Sequence, residues 1–258
     1  MFDSHIIFQV VLISLIGGII GLDRTAAGQF MISQPIVAGP LTGWVLGDAH
    51  AGFVIGAVLE LIWVLDMPIG TFVPADATIA AVSATALASL GGRAPAPLSV
   101  LGFCVLLSIG TAPLTMFADS LIRKRNARLA VFAVAGPGED AITKLSRAHL
   151  SGLVMFFFKS FLLYLIILPT GLVALRLFGF LPEKIHSAMA LFVKVLPVLG
   201  AALMLRKLST AYLDRFLLIG LVIVALSEVS VKAPAYLYVL PAIVAGWIGV
   251  KFIEKRAS

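Results

Sequence analysis

The chain has 258 residues, of which 60% are hydrophobic and only 12% charged, with a mean hydropathy of +1.09. Soluble domains carry about 25% charged residues, and a water-soluble fold of this length has no interior large enough to hide so much apolar surface, so soluble globular classes are excluded. The formal net charge of +6 gathers in short clusters at the ends of apolar segments, a pattern that reports membrane topology and not nucleic-acid binding.

A membrane-crossing helix needs about 20 apolar residues, and the chain divides on that rule. Counting three spans or five segments back from the basic loop at 123–128 puts the N-terminus outside, and the opening "MFDSH", with no Lys or Arg, fits that side. The run at 6–22 follows without the basic region or cleavage site of a removable signal peptide, and so reads as the first membrane segment. Between 36 and 90 the apolar sequence is interrupted at Gly47-Asp48-Ala49-His50, at Met67-Pro68-Ile69-Gly70 and at Pro74-Ala75-Asp76. The pieces left over, 36–46, 51–65 and 77–90, are short for simple crossings. Broken backbone at membrane depth is tolerated only against protein or a wet cavity, and in transporters it clusters at substrate sites. At least one re-entrant element is therefore expected here, with tilted short spans as the alternative.

A further span is expected at 98–117, followed by the basic loop "RKRNAR" (Arg123 to Arg128) on the cytoplasmic side. The polar stretch to Leu150 reads as an interfacial connector, with a short amphipathic helix in "GPGEDAITKLSRAHL" as the alternative. Four more spans, 150–168, 186–205, 216–231 and 236–250, alternate and return the closing "KFIEKR" to the cytoplasm. The expectation is one all-α, polytopic membrane bundle over 1–258. Its substrate-site half is 1–122, its cytoplasmic connector 123–149, and its four remaining helices lie in 150–258.

The chemistry concentrates between Leu46 and Asp76, which holds Asp48, Glu60, Asp66 and Asp76 within apolar sequence. No Lys or Arg occurs from Thr25 to Gly92. Gly39, Gly43 and Gly47, then Gly52 and Gly56, recur every four residues, the spacing that lets membrane helices pack backbone to backbone. Glu60 continues the second series and Trp63 joins its face one turn later, placing a carboxylate beside an indole. An acid at the centre of a membrane helix costs about 2.5–3.5 kcal/mol. Sugar hydroxyls are donors suited to an acceptor-only carboxylate, and bonds to a charged group are worth about 1.5–3 kcal/mol each. Asp76 after Pro74 suits a helix N-cap, a role compatible with ligand binding at a helix N-terminus. Asp48 suits either a solvated turn or the site, and Asp66 a loop. Lys159 is expected to snorkel to an interface; Lys194 either snorkels or reaches an acid. The four histidines show no metal-ligand spacing, and Cys104 is alone. No nucleophile, phosphate loop or metal cluster is self-contained in the sequence, so no catalytic residue, metal or cofactor is assigned.

The ordered run "GQFMISQPIVAGPLTGWVLGD", "GFVIGAVLELIWV" and "MPIGTFVPADATIAAV" resembles the IIC subunit of mannose/sorbose-type sugar phosphotransferase systems, over about residues 28–85. The resemblance implies a bacterial plasma-membrane sugar permease, not catalytic alone, that works in a hetero-oligomer with a second membrane subunit, IID. It also implies cytoplasmic IIA and IIB phosphocarriers, IIB passing a phosphoryl group to the entering hexose. The family's binding carboxylate and polar break residues would fall on Gln34, Asp48, Glu60 and Asp76. Intramembrane acids also serve proton relays, so an ion-coupled secondary transporter of a small polar solute is the rival reading.

Overall fold

The computed structural model describes residues 3–63, 72–91, 95–134 and 141–208, and every regular element among them is an α-helix. In order these are α1 (Ser4–Leu22), α2 (Pro35–Leu46), α3 (Ala49–Trp63), α4 (Ala77–Leu90), α5 (Leu98–Gly110), α6 (Ala112–Val134), α7 (Ala141–Phe178) and α8 (Glu183–Leu208). Residues 1–204 form one compact unit; of the second, 205–258, only the end of α8 is described. Four stretches are long and apolar enough to cross a bilayer: Ser4–Leu22, Leu98–Val131, Ile142–Phe178 and Glu183–Leu203. The protein is an all-α, multi-pass membrane bundle.

Three helices are too short for that. Their 12, 15 and 14 residues give α2, α3 and α4 lengths of about 18, 22 and 21 Å at 1.5 Å per residue, against a hydrocarbon core of about 30 Å. The breaks expected at Gly47-Asp48 and at Pro74-Ala75-Asp76 are where α2 ends and α4 begins. Gly47 closes α2 with φ +84°, a left-handed turn that glycine takes without steric cost. The break expected at Met67 to Gly70, and the spans expected at 216–231 and 236–250, lie outside the described residues.

The bundle is built around α4. Every residue from Thr78 to Ala88 is buried, as a helix of small and aliphatic residues (Ala, Ser, Thr, Val, Ile and Leu) with no charged face requires, and α4 touches α1, α2, α3, α5 and α7. Against it α2 and α3 form a hairpin whose glycines meet backbone to backbone. The space a Cβ would need at Gly43, Gly52 and Gly56 is taken by the carbonyl oxygens of Asp48, Gly39 and Pro35. This is the contact that the four-residue spacing anticipates. On the other flank α1 receives α7: Gly17 faces the ring of Tyr164, Gly18 that of Phe157 and Gly21 the hydroxyl of Ser160.

Two expectations change. "RKRNAR" is not a loop but part of α6, which continues to Val134. Arg, Lys, Ala and Leu are good helix formers and no Gly or Pro intervenes, so the charges end the apolar segment without ending the helix. The supposed connector is likewise largely helical, because α7 starts at Ala141 and runs 38 residues, its exposed first turns continuing directly into the apolar stretch expected at 150–168.

Candidate functional site

The returning end of the hairpin brings α3 back to the start of α2. Gln34 stands before α2 in extended conformation, and its carbonyl accepts the N–H groups of Val37 at 2.9 Å and Ala38 at 2.8 Å. Pro35 has no N–H to satisfy. That leaves Ile36, whose N–H donates to Glu60 Oε2 at 3.1 Å. A free N–H at the positive end of a helix is a natural partner for a carboxylate, so the helix terminus partly compensates the charge. Glu60 is half-buried and Ile36 N–H is the only hydrogen-bond partner it has among the described residues. Trp63, one turn on, is half-buried against the core. The side chain of Gln34 is half-buried and makes no capping bond.

Asp76 is built differently. It caps α4 by accepting the Ile79 N–H at 3.2 Å, and its own N–H donates to Thr115 Oγ1 at 3.1 Å. Its carboxylate lies 3.1 Å from Arg24 Nη1 and 3.0 Å from Lys159 Nζ, and Lys159 also reaches Asp119 at 3.1 Å. Asp119 in turn holds Arg123 at 2.9 Å. The side chains of Asp76, Lys159 and Asp119 are 3%, 6% and 7% exposed, so this is a chain of five charges with a buried centre and the partly exposed Arg24 and Arg123 at its ends. Three cations alternate with two carboxylates, joining the end of α1 to α4, α6 and α7 with one positive charge in excess.

A short bridge ties the two regions together. Thr78 Oγ1 donates to the carbonyl of Ser33 at 2.7 Å, linking the first turn of α4 to the residue before Gln34. Ser33 is fixed through its N–H to Asp23 Oδ2 at 3.0 Å, and Phe30 N–H donates to Asp23 Oδ1 at 2.6 Å. Burial raises the Asp23 carboxyl, but the N–H groups of Ser33 and Phe30 outweigh it and hold the group below the usual carboxylate range. Between these anchors Gln29 and Met31 sit at φ 57° and 66°. Left-handed backbone at a non-glycine residue costs of the order of 1–2 kcal/mol, so the Asp23 bonds are what keep this turn in shape.

The structure thus gathers Gln34, Glu60 and Trp63 at the ends of α2 and α3, with the α4 cap Asp76 joined through Ser33 and Thr78. Asp48 does not join them. It sits at the opposite end of the hairpin, roughly 18 Å along α2, where its oxygens accept the N–H groups of Ala51 at 3.0 Å and Ala96 at 3.3 Å. The solvated turn is not what it forms: Asp48 is 5% exposed and caps the start of α3. Asp66 lies outside the described residues. Lys159 does not snorkel: a lipid-facing route to the interface is less favourable for it than two carboxylates within 3.1 Å. Lys194 is exposed. Arg24 and Asp119 escaped the sequence reading. Arg24 is the last base before the long base-free stretch, and Asp119 precedes Arg123 by one helical turn; those positions are the only signals either gives.

A family model described as the PTS system sorbose-specific IIC component matches residues 7–245. The mannose-specific EIIC component of Escherichia coli (strain K12) is 24% identical over 233 residues, covering 87% of this chain and 83% of that one. The sorbose-specific EIIC component of Lacticaseibacillus casei is 24% identical over 260 residues, covering 96% and 88%. The fructose permease IIC component of Bacillus subtilis (strain 168) is 25% identical over 223 residues, covering 85% and 80%. A solved chain titled "Structure of membrane protein" superposes with a TM-score of 0.71 at 21% identity, covering 98% of this chain and 97% of that one, a likeness of fold.

Proposed function

The chain belongs to the sorbose-specific IIC family of sugar phosphotransferase systems, and from that premise we propose that it binds a hexose at Glu60 and presents it for phosphorylation during uptake. In this reading a IIB protein donates the phosphoryl group from the cytoplasm, IIA recharges IIB, and a IID subunit completes the membrane complex in the bacterial plasma membrane. The chain itself needs no phosphohistidine, metal or nucleotide, because its part is catalysis by positioning: a hydroxyl held in line with its donor reacts as if at very high local concentration.

The observation that carries the proposal is the state of Glu60. It is the described acid of the hairpin that keeps acceptor capacity free, with one backbone N–H on one oxygen and Trp63 on its own helical face. Ring hydroxyls donate to the remaining lone pairs, Gln34 supplies both a donor and an acceptor, and the indole packs on the apolar side of the ring. Asp76 acts from behind, as an ion-paired cap that sets where α4 begins. The short lengths of α2, α3 and α4 make re-entrant or partial crossings, whose ends open inside the membrane, the natural setting for such a site.

The rival, an ion-coupled transporter, needs a carboxylate free to bind and release a cation. Asp76 already holds two cations, so the rival too would have to use Glu60, and the form in which the sugar is delivered separates the two readings. The deciding experiment titrates hexoses against the purified complex of wild type and of Glu60→Ala, and follows uptake with an uncoupler present. Loss of sugar binding in Glu60→Ala, with phosphorylated sugar still delivered by uncoupled wild-type cells, is the expected pair of results. Unchanged binding in Glu60→Ala would overturn the site; delivery of free sugar that collapses with the proton gradient would overturn the mechanism.

A further inference from the structure

The outward face of α6 carries a second constellation, unrelated to the sugar. Leu121, Lys124, Arg125, Arg128 and Leu129 line one shallow basin of about 530 Å³. Their spacing of three, four, seven and eight residues puts them on one face of the helix. Arg123 is turned the other way, into its bond with Asp119. Lys124, Arg125 and Arg128 have no carboxylate partner among the described residues. Apolar side chains continue the helix surface on both sides: Phe117 is 62% exposed before the basin and Val131 72% exposed after it. Leu121 and Leu129 belong to the basin itself.

We propose that this basin binds the phosphate of an anionic phospholipid, of the phosphatidylglycerol type, from the cytoplasmic leaflet. The two guanidinium forks match phosphate oxygens in pairs and the ammonium adds a point charge. Basic pockets beside membrane helices on this side are suited to anionic headgroups, and positive charge marks the side as cytoplasmic. The flanking leucines and Phe117 select a lipid over a water-soluble acidic protein, because they give the acyl chains a surface that a hydrated partner would leave unsatisfied.

The test is native mass spectrometry of the purified full chain in detergent, titrated with phosphatidylglycerol and separately with phosphatidylcholine. Wild type should retain phosphatidylglycerol preferentially. A cation near such a surface contributes about fivefold, so the triple variant Lys124→Gln, Arg125→Gln, Arg128→Gln should lose retention roughly a hundredfold. Lys184→Gln with Lys194→Gln, exposed charges on α8, should leave it unchanged. Should the triple variant fail to fold, Arg128→Gln alone should still show the fivefold loss. Equal retention of both lipids, unchanged retention in the basin variants, or an equal loss in the α8 control would overturn the proposal. So would displacement of the lipid by equimolar inorganic phosphate, which would make the basin a free-anion site. Protection of the three side chains by a cytoplasmic protein, with lipid retention unaltered in the variants, would make it a protein-docking face instead.

Discussion

Glu60 and Asp76 enter the same sequence stretch as acids without nearby bases, yet the fold treats them in opposite ways. Asp76 is closed off by two cations, a cap bond and near-complete burial. Glu60 is half-open, held by one backbone N–H at the end of a helix. A buried ion pair contributes little net stability, because desolvation offsets the attraction, but removing one member leaves an uncompensated charge. The closed acid is therefore a structural clasp and the half-open one a binding group. The comparison yields opposite expectations: mutation at the first should damage the fold, and mutation at the second should damage affinity.

The largest effect should come from Lys159→Met. Both Asp76 and Asp119 then lose a cation in a buried setting, at a cost of about 3–5 kcal/mol, a large fraction of the roughly 5–15 kcal/mol by which ordinary domains are stable. Thermal melting of the detergent-purified protein should fall steeply or give no folded fraction. Asp119→Asn should be milder, since Lys159 keeps Asp76. Equal melting of Lys159→Met and wild type would dissolve the contrast between clasp and binding group.

Next comes Glu60→Gln. The amide oxygen still accepts the Ile36 N–H, so melting should move little, whereas a charged acceptor for hydroxyls is gone. One such bond at about 1.5–3 kcal/mol corresponds to a loss of sugar affinity between roughly tenfold and 150-fold, read by titration of the purified complex. A large drop in melting with unchanged affinity would exchange the roles assigned to the two acids. Gly56→Val sharpens the same comparison from the packing side. Its new side chain would meet the Pro35 carbonyl, forcing α2 and α3 apart at a cost of about 1–3 kcal/mol. Because the start of α2 is where Ile36 meets Glu60, both melting temperature and affinity should fall.

What the sequence made legible follows from the range of each interaction. Gly52, Gly56 and Glu60 share a face by helical period, and the break at Gly47-Asp48 by local backbone preference. Both are short-range and both are in the structure. The partners of Asp76 are 52 residues back at Arg24 and 83 residues on at Lys159, distances over which no periodicity operates. A lysine among phenylalanines reads as an interfacial residue until its helix is known to face two carboxylates. The helical continuation through "RKRNAR" was hidden for another reason: hydropathy reports where a segment leaves the bilayer, and helix propensity reports where it stops, and in α6 the two points differ.

The smallest expected effect belongs to Asp48, and it isolates the cap from the site. Asp48 accepts the Ala51 N–H at the start of α3 and the Ala96 N–H across the chain, so Asp48→Ala removes an N-cap, typically worth about 1 kcal/mol. Melting should drop by a few degrees, as expected for that loss in a protein of this size. Sugar affinity should stay within about twofold of wild type, because the residue lies one full helix away from Glu60 and touches only backbone. Asn at the same position still offers an oxygen to Ala51 and should recover most of the loss. An affinity change as large as that of Glu60→Gln would mean that the hairpin transmits its far end to the site, and that Asp48 belongs with the binding residues after all.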